Sequence, residues 1–180
     1  MEFAFWVFAN VVVAVLLQYM AIAFHEMGHG LMARAFGAFS FDLRIGSGRS
    51  LVDKTWGNLR LRIGCRPMGG VCSYVSPSAM DSWSHAKRGF WVSFAGPAAS
   101  LVWCLGMACS SFPLALAPAY LAILGYTLWG TWTCVKPVAR NRSNDGREMR
   151  DNLKLLRSPK MYRKLKPRSA PSSQEMRSAR

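Results

Sequence analysis

Two histidines four residues apart, with a glutamate beside the first, stand out in His25-Glu26-Met27-Gly28-His29. On a helix, positions i and i+4 share a face, so both imidazoles can bind one metal ion. Glu26 is offset from that face yet adjacent to it. There it can take a proton from a metal-bound water and later deliver one to a leaving amine. Gly28 and Gly30 remove bulk around the site and can admit a close-packed backbone. Two imidazoles do not complete a catalytic zinc site, which ordinarily has three protein ligands plus water. His85 is one candidate for the third, although a solvated interfacial histidine is the simpler reading of it. A carboxylate from Asp42, Asp53, Asp81 or Asp145 is the other option, and spacing does not choose among them.

The elements that must position these groups are apolar. Residues 3–24 form an almost unbroken apolar run of 22 residues, interrupted by Asn10, Gln18 and the amphipathic Tyr19. As a helix, that length crosses a hydrocarbon core of about 30 Å. It has no basic start and no small-residue cleavage site, so we read it as a retained span rather than a removed signal. The helical pattern continues through the histidines to Gly37, a suitable C-cap. A first span over residues 3–36 therefore places the histidines near one membrane face. Residues 41–75 change character: FDLRIGSG, NLRLRIG and VCSYV alternate apolar and polar positions between glycines. They predict short strands and tight turns in a small sheet or hairpin at the interface. Two more apolar runs follow, at 89–112 and 119–135. The expected fold is an α-helical integral membrane protein with three spans and an interfacial β element after the first.

Composition agrees. The 180 residues are 51% hydrophobic and 18% charged, with a net charge of +14. Residues 139–180 carry 13 Lys/Arg and 4 Asp/Glu, so they supply +9 of that total. Such a basic tail beside apolar spans fits the anionic cytoplasmic leaflet and the positive-inside rule better than it fits nucleic acid. The remaining Lys and Arg also fall on one predicted side. The N-terminus is then expected outside and the C-terminus in the cytoplasm of a bacterial membrane. Two parts are expected: a membrane core over 1–150 and a basic, partly disordered tail over 151–180. The five cysteines include no CxxC pair and point to no disulfide framework.

Four segments together resemble one family. HEMGH at the end of a first apolar span looks like the site-2 protease family of intramembrane zinc metalloproteases, also called M50-type. Arg66-Pro67-Met68-Gly69-Gly70-Val71 is similar to the family's proline–hydrophobic–Gly-Gly stretch. Phe94-Ala95-Gly96-Pro97-Ala98-Ala99-Ser100 resembles its GxxxN/S/G motif, and Asn144-Asp145-Gly146 resembles its Asp-Gly motif. Order and topology match over about residues 10–150. With no PDZ-like segment, the expectation is a small PDZ-less member. One departure concerns Cys134, which stands three residues before Pro137 where the family often has Asn.

The resemblance implies that His25, His29 and Asp145 bind one zinc ion per chain and that Glu26 is the general base. It implies single transmembrane helices as substrates, and places Gly69 and Gly70 near their path, with Gly96, Pro97 and Ser100 supporting the site. An exposed strand edge there could hold an unwound substrate by β-augmentation. The main rival is an inactive membrane adaptor that keeps the metal fold and captures helices without cutting. A metal transporter ranks lower, because one ligand cluster offers little of a pathway.

Overall fold

A computed structural model describes residues 2–76, 82–110, 114–135 and 145–157. Helix α1 runs Glu2–Ala35, followed by strands β1 (Ser40–Trp56) and β2 (Leu59–Val75). Helix α2 (Ser82–Cys109), a 3-10 turn (Leu114–Leu116), α3 (Ala117–Val135) and α4 (Asp145–Arg157) complete the order.

The 34 residues of α1 contain no proline, so the helix runs about 50 Å without a break. Apolar side chains surround it, and Phe3, Phe8, Leu16 and Leu31 are exposed. A helix apolar on all sides belongs in a hydrophobic surround rather than on a water-facing surface. Its end is fixed by Gly37, whose φ of 86° allows the closing turn. There Ala38 N donates to Ala33 O (3.0 Å) and Gly37 N to Arg34 O (2.9 Å). Ala33 and Ala38 then bury together with Val92 of α2. This is the Schellman pattern with its apolar contact, at the residue the sequence marks as a cap.

The β element is more folded in space than the sequence suggests. The hairpin expected over residues 41–75 forms: two long strands, β1 and β2, make a two-stranded antiparallel sheet. Irregular register lets the hairpin double back on itself. Phe41 is paired with both Tyr74 and Leu59, and Leu43 with both Cys72 and Leu61. The three stretches read from the sequence thus lie side by side, with residues 41–45 between the other two.

Helix α2 packs closely on α1. A Cβ built at Gly28 would collide with Ala95 O and come within 2.7 Å of Ala99 Cβ. Small residues on both faces allow this approach, as at helix crossings in membranes. The helix begins at Ser82, seven residues before the expected start of its apolar run. Its first turns carry charge that the fold accommodates: Arg88 is buried and its guanidinium lies 5.9 Å from the Tyr74 ring centre. Helix α3 joins α1 through Asn10, whose side-chain Oδ1 accepts from Ala119 N at 3.1 Å. This satisfies a first-turn amide that no residue of its own helix can reach.

Two of the described helical segments are long and apolar enough to cross a bilayer, Glu2–Ala35 and Ser84–Cys109. Helix α3 is uncharged but has 19 residues rich in Tyr, Trp, Thr and Gly, and is not among them.

Candidate metal centre

His25 and His29 face the same way from α1, and their Nε2 atoms lie 3.2 Å apart. Asp145, the first residue of α4, meets them both. Its Oδ2 is 3.2 Å from His25 Nε2 and its Oδ1 is 3.5 Å from His29 Nε2. Tetrahedral zinc with N and O bonds of 2.0–2.1 Å separates its ligands by about 3.3 Å. The three donor separations bracket that spacing, so the residues fit a zinc ion.

Each imidazole is oriented through its other nitrogen. His29 Nδ1 donates to Val92 O at 2.7 Å, and His25 Nδ1 lies 2.8 Å from Ser100 Oγ. Holding the proton on Nδ1 leaves the Nε2 lone pair free for a metal. Asp145 sits at a helix N-terminus, where the dipole favours a carboxylate. Burial pushes its carboxyl upward, but hydrogen bonding to His25 and His29 outweighs this and holds it at about 2.

Glycines bring these elements together. A Cβ on Gly96 would overlap the His29 ring, and one on Gly146 would strike Val135 O at the end of α3. Pro97, inside α2, supplies no N–H for the carbonyl of Ser93 four residues back. Ser93 Oγ donates to Glu148 Oε2 at 2.8 Å, and Met149 is buried, so α4 is pinned to α2. The Asp-Gly pair thus delivers a carboxylate and then the space for its helix to approach.

Glu26 is 7% exposed and lies under β2. A Cβ at Gly70 would come within 2.6 Å of Glu26 Cγ, 2.7 Å of its Oε1 and 2.8 Å of Ile22 Cγ2. The backbone N–H of Cys72 donates to the carboxylate. Gly69 and Gly70 therefore border the centre itself. Burial pushes the Cys72 thiol up to about 11, with the Glu26 and Asp42 charges adding to it.

A cavity of about 630 Å³ joins these groups. Beyond the residues named, Gln18 and one face of α3, with Thr127, Thr131 and Cys134, line it. Sequence reasoning singled out Cys134 only as a departure from the family pattern and passed over the rest of that face. The positions 127, 130, 131 and 134 follow helical spacing, and polar or small residues at those steps in an uncharged apolar run were the available signal.

The alternative third ligands are engaged elsewhere. Asp42 accepts two hydrogen bonds from Arg62 (3.1 and 2.7 Å), and Asp53 two from Arg60 (2.9 and 2.7 Å). The Arg60 hydrogen bond holds the Asp53 carboxyl below its usual range. Arg88 Nη2 lies 3.2 Å from His85 Nδ1. Asp81 and Asn144 lie outside the described residues.

Helices α1, α2 and α4 thus bring two imidazoles and a carboxylate together at one cavity, with Glu26 beside them. The family model for "Peptidase family M50" matches residues 12–165. The chain belongs to peptidase family M50, the site-2 protease family of membrane metalloproteases, which implies zinc. It is also 43% identical over 60 residues to a Chlamydia trachomatis (serovar D) protein named "Putative zinc metalloprotease". That stretch is 33% of this chain and 9% of the relative's length.

Proposed function

We propose that this protein is an intramembrane zinc metalloprotease that hydrolyses peptide bonds of transmembrane substrates. The observation that carries the reading is the triangle of donors from His25, His29 and Asp145, with Glu26 beside it. One zinc ion held by those three side chains would polarise the scissile carbonyl and acidify the water it binds.

The chain's own groups do the rest. Glu26 takes the proton from the attacking water and passes it to the leaving nitrogen. Its carboxylate is held for this by the Cys72 N–H and by the absence of a side chain at Gly70. Ser100 and Val92 O keep the imidazoles in register, so that neither has to reorganise during the reaction. Water reaches membrane depth through the cavity, whose Gln18, Thr127 and Thr131 offer polar groups. Cleavage needs an unwound substrate, because peptide groups in a helix are shielded and paired. The β2 stretch at Gly69 and Gly70 lines the same cavity, which supports reading it as the edge that receives such a strand.

We take α1, α2 and α3 as three spans, with the N-terminus outside and the basic side in the cytoplasm. The charge distribution supports this orientation. The test is Glu26→Gln. It removes the base while leaving the metal ligands intact. Zinc should remain at one per chain, while cleavage of a transmembrane substrate falls by about 100-fold or more. Undiminished cleavage contradicts the role of Glu26. Zinc without chelator-sensitive cleavage in the unmodified protein supports the adaptor instead.

A further inference from the structure

The donors at this centre do not end with two imidazoles and a carboxylate. In the last turn of α3, Cys134 offers a sulfur that forms a group with His25 and Asp145. The ligand atoms of all three lie within 4.8 Å of one another. The placement follows from packing. Gly146 lies against the carbonyls of Cys134 and Val135, so the turn that delivers the carboxylate rests on the turn that carries the thiol. Cys134 is half-buried and lines the same cavity as the metal-facing groups.

Three protein ligands leave one position of a tetrahedral site open, and thiolate is among the strongest donors zinc accepts. A thiol that enters such a position gives up its proton. We propose that Cys134 is a fourth protein donor: it already groups with His25 and Asp145, and a small shift of its turn toward His29, which stands outside that group, closes the resting centre into a set of two imidazoles, one carboxylate and one thiolate. The inference rests on the reading of His25, His29 and Asp145 as metal ligands. Closure forms one sulfur–metal bond, displaces one water and releases one proton to the cavity; no electrons change hands. Opening reverses it, and water then enters where sulfur was. The protein is thereby latent at rest, and its site favours thiophilic ions more than two imidazoles and a carboxylate alone would. A substrate entering the cavity along α3 competes with the turn that holds the sulfur in.

Cobalt reads this directly. The full chain, purified in detergent micelles, is loaded with Co2+ in place of zinc. A cobalt–thiolate bond gives an intense near-ultraviolet charge-transfer band that N and O ligands do not give. The unmodified protein should show the band at one cobalt per chain. Cys134→Ser should keep the cobalt and lose the band, and Cys72→Ser should keep both. Bound cobalt without the band, or a band surviving in Cys134→Ser, overturns the proposal. Undiminished cobalt binding in His25→Ala overturns the ligand set beneath it instead. A second measurement needs no variant. Zinc should slow alkylation of Cys134 by iodoacetamide about tenfold or more, while exposed Cys65 is unaffected. Equal rates at Cys134 with and without zinc overturn the proposal as well.

Discussion

Gly96→Ala is a one-carbon change aimed at a metal ligand. The new Cβ would overlap the His29 ring, standing 2.8 Å from Cδ2 and nearer still to Nε2. Carbon contacts are comfortable at about 3.5–4.0 Å, so the ring must retreat by roughly 1 Å. It cannot do so freely, because Val92 O holds its Nδ1 at 2.7 Å from the same face of α2. Metal–ligand distances tolerate only about 0.2 Å. The variant therefore either forfeits His29 as a ligand or shifts α2, at an overpacking cost of about 1–3 kcal/mol. At about 1.4 kcal/mol per tenfold, the upper end of that cost alone weakens zinc about 100-fold. The assay is zinc competition against a chromophoric chelator, with circular dichroism to confirm that the helices persist. Zinc affinity within threefold of the unmodified protein, in a folded Gly96→Ala variant, would refute the assignment of His29.

Two further perturbations separate the parts of the site. Gly70→Ala drives a methyl group into Glu26 Cγ and Oε1 and Ile22 Cγ2, the three atoms nearest to it. It should cut cleavage by about 100-fold with zinc retained, and equal loss of zinc would show that the base and the metal are not separable. Acidification distinguishes the ligands by charge. Asp145, held at about 2, contributes to stability above its ordinary value near 4, and that contribution disappears only as the pH falls towards 2. An imidazole nitrogen binds metal only when it is unprotonated, so acid should displace the zinc. Zinc retained at about pH 3, measured by dialysis and metal analysis, would count against imidazole ligation.

What the sequence made legible was mostly what is local. The i, i+4 spacing of His25 and His29 and the cap at Gly37 depend only on helix geometry. Asp145 is different. It is 116 residues beyond His29 in the chain, and only the family resemblance singled it out from the other aspartates. The arginine partners that remove Asp42 and Asp53 from contention come from cross-strand pairing, which periodicity does not specify. Helix α4 begins at Asp145, a residue whose type alone fits a helix N-cap or a turn equally. Packing against α2 and α3 decided the matter, as Met149 and Gly146 show by their burial. The early start of α2 was hidden because Lys87 and Arg88 look like loop residues until Tyr74 and the β element are in place. The second expected span, 89–112, and the expected tail, 151–180, extend past the described residues, at 111–112 and 158–180.

The contact at Gly28 sets the direction of traffic. A crossing too tight for a methyl group is also too tight for a peptide, so nothing can slip between the first two helices there to reach the histidines. For the proposed substrate, entry would then fall to the opposite flank, where, among the described residues, α3 and the Gly69–Gly70 strand line the cavity. The seam that fastens the imidazoles in place also makes the centre a one-sided workplace.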